Sequence, residues 1–233
     1  MSHTPNSLSG PALAGEWPLV AAQPGIWVAD QISPHRNAYA VAHAIELNGP
    51  IAVEPLLQAI IQGLGEVDML RLRFAERDGV PVQWLDDALA VHEPELVDLT
   101  TSPDPEAAAR ALMDIDLASD LRAGSGAPLY RHVVMRLADN RWFWYQRYHH
   151  LLVDGFSFTA IARRVAAIYT HLCRGDALEP TPFTAFSDVV AEYQAYREAP
   201  AWQRDADFWL EKARQLPPPA TLCPQPLAGQ TPT

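Results

Sequence analysis

Lysine is nearly absent from this 233-residue chain: of its 17 basic residues only Lys212 is a lysine. Phosphate-loop and Schiff-base chemistry therefore have no candidate in the body of the sequence. Cysteine is almost as scarce, and Cys173 and Cys223 stand at neither ligand nor redox spacing, so reduced bystander thiols are expected. No apolar run reaches the length of a membrane span, and the N-terminus lacks a basic-then-apolar leader. A cytoplasmic protein with no membrane span is the resulting expectation. Positive charge is also short: 28 acidic residues outweigh the 17 basic ones and leave a formal charge of −11, which disfavours nucleic acid as a partner. What remains is a chain with 48% hydrophobic residues, enough for one substantial core.

Periodicity organises that core as a mixed α/β assembly. Residues 1–17 are rich in Ser, Pro, Gly and Ala and are expected to be disordered. A short helix carries Gln23 and Trp27. Tyr39, Val41, His43, Ile45 and Leu47 alternate as a strand, and Pro55 opens a helix with Leu56, Ile60 and Leu64 on one face. Strands are predicted at 70–74, 82–85 and 96–99. Asp104 before Pro105 reads as an N-cap. Segments 129–137 and 142–150 form a hairpin across Ala138-Asp139-Asn140-Arg141. Two amphipathic helices follow near 184–197 and 201–215, and 217–233 has the Pro-rich character of a linker.

The densest chemistry lies in Tyr148-His149-His150-Leu151-Leu152-Val153-Asp154-Gly155. Before it, Trp142, Trp144, Gln146 and Tyr148 alternate with Phe143, Tyr145 and Arg147; after it, Phe158, Ile161, Val165, Ile168 and Leu172 recur at helical steps. The motif thus sits on a strand–turn–helix corner. Successive strand side chains diverge, so only one histidine can face a given cavity while the other packs. Asp154 can orient the turn or accept a charge-assisted hydrogen bond from an arginine. Gly155 suits positive φ or a close backbone approach. Free amides at the helix start would favour an oxyanion beside the imidazole, as acyl transfer requires. A metal site is the competing reading, because His and Asp are both ligands. It is disfavoured by the divergence of the histidines and by the lack of a further His or Cys nearby. Arg141 and Arg147 are expected to face solvent or acidic neighbours.

His149-His150-Leu151-Leu152-Val153-Asp154-Gly155-Phe156-Ser157 resembles the signature of condensation domains of non-ribosomal peptide synthetases, within the chloramphenicol-acetyltransferase-like superfamily. Other elements of that family follow in order: Ala22-Gln23 with Trp27, Leu70 to Phe74, Phe186 to Val190, and Asp207-Phe208-Trp209. Leu72 stands where the family usually has threonine, and Glu66-Val67-Asp68 replaces its upstream histidine. The resemblance implies an α/β (α+β sandwich) fold, with 18–178 as the N-terminal lobe and 179–216 as helices leading into a second lobe that is largely missing.

It also implies amide formation between two carrier-tethered groups. His150 is then the catalytic histidine, with Asp154 and Gly155 completing the catalytic motif. Asp154 would organise the loop by pairing with Arg71, His149 would support by packing, and Gln23, Trp27 and Ser157 would line the substrate channel. No cofactor would be bound directly. Substrates would arrive on 4′-phosphopantetheine arms of an aryl carrier protein (donor) and a peptidyl carrier protein (acceptor), beside the remaining synthetase domains. Segments 142–158, 201–209 and 215–220 look like a siderophore-assembling member of the family, implying a 2,3-dihydroxybenzoyl donor and a seryl acceptor. A standalone coenzyme A-dependent acyltransferase and a non-catalytic carrier-binding fragment remain as alternatives.

Overall fold

The computed structural model describes residues 15–217. Its elements run β1 (Glu16–Pro18), α1 (Gln23–Ile32), β2 (Ala40–Asn48), α2 (Val53–Gly65), a 3₁₀ turn (Asp68–Arg71), β3 (Leu72–Arg77), β4 (Val80–Leu85), β5 (Glu95–Asp98), α3 (Pro105–Ala118), β6 (Tyr130–Ala138), β7 (Arg141–His149), α4 (Gly155–Arg174), α5 (Phe186–Glu198) and α6 (Pro200–Arg214). Residues 15–190 form one compact unit, and a second begins at Ala191. The linker-like tail of the sequence, Cys223 included, lies almost wholly outside the described residues. Glu16 and Trp17 fall inside the stretch expected to be disordered, yet they pair with Trp84 and Gln83 of β4.

The main sheet has the order β2-β7-β6-β5, and a smaller one the order β1-β4-β3. β6 and β7 form the expected hairpin, closed where Ala138 pairs with Arg141 across a two-residue turn. The alternation along β7 separates two faces correctly but does not separate inside from outside. Every residue from Trp142 to His149 is buried. One face packs Phe143 and Tyr145, with Val133, Met135 and Leu137 of β6, against Ala109 of α3. Tyr148 on the other meets Phe158 of α4 edge-on, their ring centroids 5.3 Å apart. Helices on both faces bury both sets of side chains, so a period of two carries no polar half.

Of the two readings of Arg147, solvent or an acidic neighbour, that arrangement leaves the acidic neighbour. Arg147 is 4% exposed, paired with Asp116 Oδ1 at 3.2 Å, and donates to Ser119 Oγ and to the carbonyls of Ser119 and Asp120. Arg141 does meet acidic neighbours, Glu46 and Glu106.

α2 lies directly against α4. A Cβ on Gly63 would sit 2.8 Å from Val165 Cγ2, so glycine is what permits the helices to approach this closely. Asp104 caps α3 as expected, accepting from Ala107 N at 2.9 Å. In the second unit, Arg197 lies 4.3 Å over the Trp202 ring, and α6 has no buried residue.

Candidate active site

The strand–turn–helix corner is built from backbone bonds on both sides of β7. His149 N donates to Leu129 O (2.8 Å) and His150 N to Tyr39 O (2.9 Å), which anchors the strand end on its two flanks. The chain then turns tightly: Leu152 N donates to His149 O at 2.9 Å, and Leu151 N donates to His149 Nδ1 at 3.1 Å.

The histidines diverge as strand geometry requires. His149 is 0% exposed and stacks on Tyr39, with Nε2 3.5 Å from Asp30 Oδ2. Burial pushes its pKa down, and the neighbouring Asp30 carboxylate opposes that shift. His150 is only part-buried, and its Nδ1 lies 2.8 Å from Val153 O. A carbonyl oxygen only accepts, so the neutral imidazole carries its proton on Nδ1 and keeps the Nε2 lone pair available. This is the tautomer a general base needs.

Among the described residues Asp154 pairs with no arginine. Arg71, its expected partner, is held by Asp68 at 2.6 Å and Asp87 at 2.7 Å. Asp154 is instead the N-cap of α4. Its Oδ1 accepts from Phe156 N (3.0 Å), Ser157 N (2.9 Å) and the Ser157 hydroxyl (2.8 Å), while Asp154 N donates back to Ser157 Oγ at 3.1 Å. The Ser157 hydroxyl and amide, followed by the Phe156 amide, hold the carboxyl below its usual range against a small burial penalty. The first-turn amides of Phe156 and Ser157 are therefore taken by the cap rather than free for an oxyanion. A short capping carboxylate satisfies them locally, without a partner remote in sequence.

Gly155 does not take the positive φ that was one of its two expected uses. It starts α4, and a Cβ placed on it would meet no atom within 4 Å. Its smallness leaves open space at the helix start instead of relieving backbone strain.

Two of the three channel candidates are interior. Gln23 is buried; it accepts from Val20 N (2.9 Å) and Gln83 Nε2 (2.8 Å) and donates to Leu151 O (3.2 Å). Trp27 is 5% exposed and packs beside Phe74. Ser157 alone reaches open volume: with Leu152, Phe156, Ile161 and Phe183 it lines a mainly apolar cavity of about 300 Å³. Phe156, 87% exposed at this mouth, was not singled out by sequence, although an aromatic in a capped first turn is a visible signal. Asp30 was also missed, although its spacing from Gln23 and Trp27 places it on the same helical face. The Glu66-Val67-Asp68 stretch has its own work. Glu66 grips Arg164 at 2.6 and 2.8 Å, and Asp68 accepts from Phe186 N. Among the described residues no three His, Cys, Asp or Glu side chains are grouped to hold a metal ion, and no helix is long and apolar enough to cross a membrane.

Residues 13–232 match the condensation-domain family model, and the chain belongs to that family. It is 56% identical over 214 residues to enterobactin synthase component F of Escherichia coli O157:H7, an alignment covering 92% of this chain and 17% of that protein. It is 36% identical over 208 residues to vanchrobactin synthetase VabF of Vibrio anguillarum, covering 87% of this chain and 7% of that one. Its fold matches the starter condensation domain of rhizomide synthetase RzmA, solved with C8-CoA and Leu-SNAC. There the TM-score is 0.84 at 30% identity, over 91% of this chain and 48% of the solved one. The chain thus spans about half of a solved condensation-domain chain and a small part of the synthetases it matches. The mixed α/β fold and the condensation motif read from the sequence are those of the family.

Proposed function

We propose that this chain supplies the histidine-bearing lobe of a condensation domain that joins a carrier-bound acyl donor to a carrier-bound aminoacyl acceptor. The observation that carries the reading is the His150 imidazole, held through Nδ1 by Val153 O, with Nε2 unclaimed among the described residues at a half-buried corner. The acceptor nitrogen attacks the donor thioester carbonyl, the carbon–sulfur bond breaks, and an amide forms. His150 Nε2 takes the proton lost by the nitrogen and passes it to the departing thiolate. A free α-amine has a pKa of about 8, so roughly a tenth of it is already neutral at pH 7, and holding it in line matters alongside basicity. The open space before Gly155 admits the substrate backbone.

The likeness to two siderophore-named synthetases supports siderophore assembly, with a 2,3-dihydroxybenzoyl donor and a seryl acceptor. Both would be delivered on phosphopantetheine arms, by an aryl and a peptidyl carrier protein respectively, in the cytoplasm. A second reading takes the donor from coenzyme A, and the C8-CoA complex of the RzmA starter domain favours it. The test is mass-spectrometric detection of amide from dihydroxybenzoyl-loaded aryl carrier and seryl-loaded peptidyl carrier, with and without a separately expressed second lobe. Product only with both lobes supports the proposal. Product from dihydroxybenzoyl-CoA without the aryl carrier supports the second reading. No product from folded protein in any arrangement counts against both.

A further inference from the structure

α1 carries two polar side chains into the interior at the motif. Gln23 and Asp30 lie seven residues apart, two helical turns, and flank the buried Trp27. Gln23 Nε2 holds the carbonyl of Leu151, while the amide of the same residue is held by His149 Nδ1. Both backbone groups of the residue following His150 are thus fixed by side chains. His149 can accept from Leu151 N only if Nδ1 is unprotonated, which requires the proton on Nε2. Nε2 is buried and makes no well-aligned hydrogen bond; the carboxylate 3.5 Å away belongs to Asp30. Asp30 is 0% exposed, with Oδ2 accepting from Ala123 N at 3.2 Å and, at a long 3.4 Å, from Gln31 Nε2, while Oδ1 has no partner among the described residues. A carboxylate enclosed this completely is costly to bury with so few donors, and a neutral imidazole N–H stands beside it.

We propose that Asp30 is a positioning residue: it holds His149 in the Nε2–H tautomer, and through the His149–Leu151 bond it fixes the turn that presents His150. The inference adds to the proposed amide-forming role and rests on it only for the catalytic consequence. The same oxygen, Asp30 Oδ2, faces both Ala123 N and His149 Nε2, so an Asn at position 30 can keep an acceptor for both. A Leu removes it and leaves an Nε2 proton buried without an acceptor, which favours carrying that proton on Nδ1 and breaking the bond to Leu151 N. Loss of the right tautomer with the geometry otherwise kept is costly wherever a histidine's protonated nitrogen is set by a carboxylate.

The test combines imidazole ¹⁵N spectra of the chain with kinetics of the two-lobe domain. Wild-type His149 is expected to be protonated on Nε2 and unprotonated on Nδ1; an Nδ1–H wild type overturns the proposal whether or not any variant folds. Asp30→Leu is expected to shift that pattern toward Nδ1–H and to lower kcat by roughly ten- to a hundredfold with KM little changed, while Asp30→Asn, whose amide oxygen can still face Nε2, is expected to keep the pattern. His149→Asn supplies the Leu151 acceptor as an Asx-turn that needs no acceptor at position 30. In that background Asp30→Leu is expected to have no further effect on kcat. A folded Asp30→Leu that leaves the His149 tautomer unchanged, or effects that simply add, rule the mechanism out. Absence of amide product from the wild-type two-lobe domain would sink the functional reading instead, and the spectra would still decide this one.

Discussion

The two ends of the motif are held by different physics. At the β7 end, Arg147 and His149 are enclosed by three layers and fixed by partners remote in sequence, namely Asp116, Ser119 and Asp30. At the α4 end, Asp154 and Ser157 are fixed by each other, three residues apart, at an open corner. His150 stands between, tied to a carbonyl three residues on and otherwise available. The interior end is held by the core, and on the proposed reading the open corner presents the reacting group. A change at the interior end should therefore appear in unfolding, and one at the open end in turnover.

His150→Ala gives the sharpest contrast. In a complete two-lobe domain it should lower amide formation by about 10²–10⁴-fold, the range of general acid–base catalysis, while the urea midpoint stays in place. Unchanged turnover in the mass-spectrometric assay would remove the catalytic assignment. On the interior side, Arg147→Met leaves Asp116 with Arg131 and Tyr145 but strands the carbonyls of Ser119 and Asp120. A loss of about 3 kcal/mol is expected in denaturant titration, the scale of a broken buried ion pair. A variant as stable as wild type would erase the distinction between the two ends.

His132, on the β6 face beside Trp144, tests the interior through pH. Burial lowers its pKa from the ordinary 6.5 to about 3. Between those values the unfolded chain binds a proton that the folded one excludes, so stability falls as pH drops through that window. His132→Phe should flatten the pH dependence of the unfolding midpoint there. A slope identical to wild type would mean that His132 takes up its proton in the fold as readily as in the unfolded chain.

Asp154→Ala removes a cap and strands no arginine, so a loss of about 1 kcal/mol is expected, largely restored by Asp154→Ser. Because hydrogen bonds lower the folded Asp154 pKa, the cap's contribution is present above the ordinary aspartate value and fades as pH falls through the folded one. A cost of several kcal/mol would point to a partner beyond the first turn of α4. The smallest stability effect belongs to Gly155→Ala, whose methyl enters open space: an unfolding midpoint within a few tenths of a kcal/mol of wild type is expected. A large drop in turnover of the two-lobe domain with that midpoint unchanged would identify the space as the substrate's.

Much of this architecture was legible in the residues. The 3.6-residue recurrence from Phe158 to Leu172 marked α4, Asp104-Pro105 marked the start of α3, and the alternations from 129 to 150 marked the hairpin. All are local, written in spacing and capping chemistry within a turn or two. The motif itself, with the divergence of its histidines, was equally readable, because strand geometry alone forces them apart. The partners were not. Arg71 was expected at Asp154 but lies on Asp68, three residues before it, and on Asp87 across β3 and β4. Gln23 and Trp27 were read as channel residues although the helix that carries them turns that face inward.

The sequence by itself determined the mixed α/β class, the order of helices and strands from α1 onward and the corner that carries His150 and Asp154. Each of these depends on interactions within a few residues or on a repeat that one face must satisfy. Only the tertiary structure decided that both faces of β7 are buried, that Arg147 is interior, and that Asp30 stands beside His149. Those outcomes depend on which distant elements cover a given face. Residues 30 and 149 are brought together by the packing of α1 against the end of β7, and no periodicity along the chain encodes that contact.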